Sequence, residues 1–169
     1  MTLLQPSVDL PDFWAGSGFE DKLLQAQGDF SLNAGQHSVT YLPSSDTAAT
    51  ARYQVLLYDN NFGAAESYPK FDWGQLGAAV VTDYSKGTHS FGRVFTVDET
   101  ARAYELVGQI AVPFSGYVSS AQRVGDSNSM LVASGQAKTF AEYDRYGLPI
   151  ATYEMEAEKY IYRVYKYEL

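Results

Sequence analysis

Lys159-Tyr-Ile-Tyr-Arg-Val-Tyr-Lys-Tyr-Glu168 closes the stretch whose pattern decides the fold, Tyr117–Leu169. Its side chains alternate: Tyr160, Tyr162 and Val164 on one face, Ile161, Tyr165 and Tyr167 on the other. Upstream, Tyr117–Val124 is followed by Gly125-Asp126-Ser127-Asn128. Met130–Ser134 meets Gly135, Thr139–Tyr143 meets Asp144 and Gly147, and Pro149–Met155 follows. Short runs rich in β-branched and aromatic residues, bounded by Gly, Asn and Asp, predict strands joined by tight turns.

The pattern occurs once earlier. The first copy has Gln36–Leu42, Arg52–Asp59, Gly92–Asp98 and Ala103–Val112. The second has Val118–Val124, Ser129–Ser134, Thr139–Asp144 and Pro149–Met155. Asp98 and Asp144 end the third strand of each, where a carboxylate can accept a bond from the backbone just beyond. A four-stranded repeat of this kind is one blade of a β-propeller. The expected fold is therefore all-β. An irregular segment, 1–34, precedes a propeller-like domain, 35–169, with repeats at about 36–112 and 118–155 and a closing strand at 159–168. Within the first segment, the spacing of Phe19, Leu23 and Leu24 predicts a short helix over Phe19–Gln27. A closed propeller needs roughly 4–8 blades. Two blades imply a share in a larger propeller, with a partner chain or the rest of the ring covering the sheet edges. An open β-sandwich has the same local pattern. The long insertion Asn60–Ser90 holds Tyr68, Trp73 and Tyr84 and is the expected site of ligand contacts.

Composition narrows the function. The chain has 169 residues, 46% of them hydrophobic and 15% aromatic, which predicts a packed globular domain. A net charge of -8 argues against nucleic acid, whose phosphates need clustered Lys and Arg. The absence of cysteine excludes disulfides, thiolate metal sites and a Cys nucleophile. No apolar run approaches the ~18 residues of a membrane span. No signal peptide is visible in residues 1–30.

Few residues carry chemistry. His37 and His89 are the only histidines. On a strand, His37 reads either as an anion-contacting group in a funnel or as a histidine bonded to a nearby carbonyl. His89 reads as a contact at the same mouth or as a solvated loop residue. Arg93 can hold an oxyanion with its bidentate fork or form an ion pair. Asp59-Asn60-Asn61 lacks the Gly and distal Glu of a calcium loop and reads as a turn. No metal site, carboxylate dyad, nucleophile elbow or phosphate loop is visible, and no cofactor is expected. The tyrosine stripes read as sheet packing, with a sugar-stacking platform as the alternative.

Four stretches in order resemble the C-terminal half of the arylsulfotransferase family. They are Gln36-His37-Ser38, then Val55-Leu56-Leu57-Tyr58-Asp59-Asn60. Next comes Ser119-Ser120-Ala121-Gln122-Arg123-Val124 with Asn128-Ser129-Met130-Leu131-Val132. Last are Glu142-Tyr143-Asp144-Arg145-Tyr146-Gly147 and Tyr162-Arg163-Val164-Tyr165. The resemblance spans about Gly35 to Leu169 and implies a propeller enzyme, periplasmic or secreted, that moves sulfate between phenols without a nucleotide donor. It implies a sulfohistidine intermediate, with histidines and an arginine on the sulfate oxygens. His37, in the Gln-His position, is the expected catalytic residue, and Asn60, His89, Arg93 and Tyr117 the expected substrate contacts. The resemblance puts a Gln-His histidine on the oxyanion side, and the later strand where it implies the nucleophilic histidine reads Ser115-Gly116-Tyr117-Val118-Ser119, which leaves His37 and His89 as the only histidines for that role. The alternative function is a non-catalytic propeller segment that binds a partner protein or glycan.

Overall fold

Alternation of buried and exposed side chains turns the predicted runs into strands. A computed structural model describes residues 3–4, 23–31, 33–42, 51–62, 88–125 and 128–167. These residues form two sheets and no helix. In chain order the strands are β1 (Leu3–Leu4), β2 (Leu23–Gln27), β3 (Gln36–Leu42), β4 (Arg52–Asp59) and β5 (His89–Asp98). The others are β6 (Ala103–Pro113), β7 (Ser120–Val124), β8 (Ser129–Ser134), β9 (Thr139–Tyr143) and β10 (Pro149–Glu154).

The first sheet has six strands in the order β1-β2-β6-β5-β4-β3, and the second four in the order β10-β9-β8-β7. β3 to β6 form one antiparallel meander and β7 to β10 another. Turn chemistry separates the strands as expected. Asp98 Oδ1 accepts from the Ala101 amide at 2.8 Å, and Asp144 Oδ1 from Tyr146 and Leu148 at 2.8 and 2.9 Å.

The N-terminal helix expectation is corrected. Residues 19–22 lie outside the described residues, and Leu23–Gln27 is a strand parallel to β6, with Gln25 opposite Ala103. A short apolar pair fits helical and strand periods equally well. The deciding partner is 78 residues away, at the Gln25–Ala103 pair.

The six-stranded sheet buries both faces. On one, Leu56, Tyr58, Val94, Ile110 and Val112 pack on Ala121, Met130 and Val132 of the second sheet. On the other, Leu24, Leu57, Phe95, Val97 and Tyr104 form a second cluster, joined by Phe30. Phe30, Phe95 and Tyr104 meet at centroid distances of 5.7 to 5.8 Å in tilted and edge-on geometry, favourable for aromatic quadrupoles.

The expected closing strand at 159–168 forms no ladder among the described residues. Two backbone bonds hold it, Ser119 N to the Tyr162 carbonyl at 3.1 Å and Ile161 N to the Gly135 carbonyl at 2.9 Å, and side chains add the rest: Ser120 Oγ bonds both Val164 N and O, and the Gln122 amide bonds both Lys166 N and O. Ile161 is buried and Val164 half-buried, so the burial breaks the period of two expected here. Gly135 permits the approach, since a Cβ there would lie 2.0 Å from the Ile161 carbonyl oxygen.

Candidate functional site

The start of β3, the end of β4, the start of β5 and the end of β6 share one end of the six-stranded sheet, because the meander is in register: Gln36 opposes Asp59, and His89 opposes Pro113. The connection 114–119 then carries the chain to β7. This end gathers His37, Asn60, His89 and Tyr117.

His37 is half-buried, on β3 opposite Tyr58. Its Nδ1 lies 2.9 Å from the Gly35 carbonyl oxygen and 2.5 Å from Asn60 Oδ1. The bond to a nearby carbonyl is the one expected of an ordinary strand histidine, and it coexists with a Nε2 that bonds no described residue. Gly35 has φ +70, and a Cβ there would sit 2.4 Å from the Phe62 carbonyl oxygen, so only glycine fits.

Asn60 is fully buried. Its Nδ2 donates to the Ser115 carbonyl at 2.5 Å and the Val118 carbonyl at 3.1 Å. A network of hydroxyls holds that connection. Ser90 Oγ donates to the carbonyls of Asn60 and Ser115 at 3.0 and 3.2 Å, and the Ser115 amide returns a bond to Ser90 Oγ at 2.9 Å. Ser119 Oγ donates to Ser115 Oγ at 2.9 Å and accepts from the Gly135 amide at 3.0 Å. Tyr58 OH and Ser134 Oγ are 3.0 Å apart beside it. Burial pushes the Tyr58 phenol above its ordinary range, against the bonds of the surrounding serines. Val118 and Ser119 adopt φ 55 and 92, and a β-branched residue at positive φ is strained. The bonds to Ser115, Val118 and Ser119 hold the strained backbone in place.

Arg93 takes a different place. It is fully buried on the opposite face of the sheet, beside Phe95. Nε donates to Gln109 Oε1 at 2.8 Å, Nη1 to the Ser31 carbonyl and Asn33 Oδ1, and Nη2 to Ser31 Oγ at 2.7 Å. Nη1 also lies 3.0 Å from Asp59 Oδ2. Both Nη1 hydrogens are already committed, so this last contact is ionic and Oδ2 takes no hydrogen bond. Asp59 Oδ1 accepts from the amides of Ala34 and Asn61 at 2.9 Å each. Burial drives the Asp59 carboxyl up and the Arg93 guanidinium down, and each charge opposes the shift of the other. Arg93 thereby ties Ser31 and Asn33 to the sheet.

His89 is exposed at the first position of β5, and its carbonyl accepts from Asn61 Nδ2 at 3.2 Å. Tyr117 is half-buried with its ring edge-on to Tyr160 at 5.4 Å. The rest of the expected ligand loop, with Tyr68, Trp73 and Tyr84, lies outside the described residues. No cluster of three or more metal-ligating side chains occurs among the described residues. Among the described residues there is no helix long and apolar enough to cross a membrane.

Sequence reasoning missed the serines. Ser90, Ser115 and Ser119 are common residues in loops, and only their mutual bonds single them out. The family model for Arylsulfotransferase (ASST) matches residues 10–165, most of the chain. The chain belongs to the arylsulfotransferase family. A search of curated proteins finds no match. Family membership supports an arylsulfotransferase-like function in general and is consistent with an aryl substrate.

Proposed function

We propose that this chain transfers a sulfuryl group from an aryl sulfate to a phenol, with His37 as the covalent carrier. The observation that carries the reading is the imidazole itself: Nδ1 is engaged by two oxygens while Nε2 bonds no described residue. A neutral imidazole with a free nitrogen is a good nucleophile near neutral pH. The Nε2 lone pair attacks sulfur, the sulfur–oxygen bond breaks, and its electron pair leaves on the phenolate. The acceptor phenol then attacks the same sulfur, the nitrogen–sulfur bond breaks with its electron pair returning to Nε2, and the acceptor's proton passes through solvent to the departed phenolate. His89 and Tyr117, at the same end of the sheet, are the proposed contacts to the substrate. Arg93 and Asn60 act from behind, since both are buried with their polar atoms engaged. The two meanders serve as propeller blades in this reading, and further sheets complete the ring.

The test is nitrophenol release from 4-nitrophenyl sulfate with phenol as acceptor. Turnover is expected, with a mass gain of one SO3 on the peptide bearing His37. His37→Ala should reduce the rate by several orders of magnitude, as loss of a nucleophile does. Turnover that survives in His37→Ala would remove the residue from this role.

A second reading, a segment that binds a partner chain without catalysis, is favoured by one observation. The outer strand β10 and its flanks expose Leu148, Ile150, Tyr153 and Met155 beside an edge that pairs with no other strand among the described residues. Such edges recruit other strands. Light scattering should then show a species larger than 18.7 kDa. A monomer at high concentration rules this reading out.

A further inference from the structure

We propose that Asn60 is a positioning residue, which fixes the His37 imidazole as the Nδ1–H tautomer and so keeps the Nε2 lone pair free. The inference rests on the reading of His37 as carrier. It assigns Asn60 a role distinct from the substrate contact expected from the sequence. Both hydrogens of Asn60 Nδ2 are spent on carbonyls, of Ser115 at 2.5 Å and Val118 at 3.1 Å. A carbonyl cannot donate, so the amide cannot turn over, and Oδ1 must face His37. Oδ1 lies 2.5 Å from Nδ1, and the Gly35 carbonyl oxygen lies 2.9 Å from it. Both are acceptors, so Nδ1 carries the hydrogen. In a neutral imidazole the other nitrogen then holds the lone pair.

The Ser115 carbonyl that orients Asn60 is itself fixed by Ser90 Oγ, and the Ser115 side chain by Ser119 Oγ. A chain of bonds therefore runs from the connection 114–119 through Asn60 to the ring. When Nε2 bonds sulfur, the ring becomes cationic and keeps its Nδ1 hydrogen. The same two oxygens then stabilise the charge, and no proton leaves Nδ1 during transfer.

Long-range 15N correlation spectroscopy of the full chain reads the tautomer directly. The wild type should show a protonated Nδ1 and a bare Nε2 at His37. Asn60→Asp keeps an acceptor and should keep that pattern. Asn60→Leu should move His37 toward the Nε2–H form. In turnover, Asn60→Leu should lower kcat about 10- to 100-fold, with KM little changed, and Asn60→Asp should recover part of it. A wild-type His37 protonated on Nε2 overturns the inference, as does a folded Asn60→Leu that keeps the Nδ1–H form. An effect on KM alone would make Asn60 a substrate contact and overturn it as well. If Asn60→Leu does not fold, the wild-type pattern and Asn60→Asp still decide. The spectra need no turnover. A correct tautomer with no sulfuryl transfer would sink the proposed function and leave the positioning role standing.

Discussion

Arg93 carries a full charge into the interior, and its surroundings explain how. Taking a guanidinium and a carboxylate out of water costs several kcal/mol per ion, repaid only by good geometry and extra hydrogen bonds. Here Ser31, Asn33 and Gln109 supply the extra bonds to Arg93, and the amides of Ala34 and Asn61 supply them to Asp59. Removing one partner strands the other. Arg93→Met should cost about 3–5 kcal/mol, read as a lower urea midpoint with an unchanged slope. Adding Asp59→Asn should recover part of that loss, because the two groups interact directly. A single-variant loss under 1 kcal/mol would mean that the pair is solvated. The sequence offers Arg93 either as an oxyanion donor or as a member of an ion pair. Ser31, 62 residues away, leaves no local signal. His37 and Asn60 were legible as a pair because Gln36-His37 opens one recognisable strand motif and Asp59-Asn60 ends another. The serines behind Asn60 were not, since a hydroxyl's partners depend on tertiary contact.

Strands β3 to β10 were legible because turn residues bound them, even where alternation is missing, as in β8, which is buried at all six positions. The two N-terminal and C-terminal elements were not. β2 takes its conformation from β6, and the run after Lys159 docks through single backbone bonds to Ser119 and Gly135 and through the side chains of Ser120 and Gln122. β-branched and aromatic residues favour a pleated surface, but a strand also needs a neighbour with free backbone groups. The approach of that last segment depends on Gly135, whose amide donates to Ser119 and whose carbonyl accepts from the Ile161 amide at 2.9 Å. Gly135→Ala would drive a methyl group into the Ile161 carbonyl and against Val118 Cγ2, at 2.0 and 2.6 Å. Backbone must move, and overpacking of this kind costs about 1–3 kcal/mol. The expected signature is earlier proteolysis after Lys159 together with a lower melting midpoint. Equal protease resistance in both proteins would show that the segment docks without this glycine.

At the scale of the whole molecule, the six-stranded sheet is the shared wall of two cores, and each core is closed by tyrosine. Tyr58 lies in the core between the sheets with Tyr143 packed against it, and Tyr104 lies in the core on the far face. Burial raises all three phenols, Tyr104 to about 12, because a phenolate would lose its hydration there. The sign for stability follows. In the unfolded chain a tyrosine ionises near pH 10. Between that value and its folded one, the native state holds the proton and the unfolded state has released it. Stability from these groups is therefore complete below about pH 10 and falls as pH rises toward 12. Absorbance titration should show that Tyr58, Tyr104 and Tyr143 ionise late, in a phase that coincides with loss of folded structure. Urea midpoints should hold steady from pH 8 to 9.5 and drop by pH 11. Replacing Tyr104 with Phe removes one raised phenol from the far core and should flatten part of that drop. A single reversible titration of all 14 tyrosines, with the fold retained, would contradict the burial of these rings.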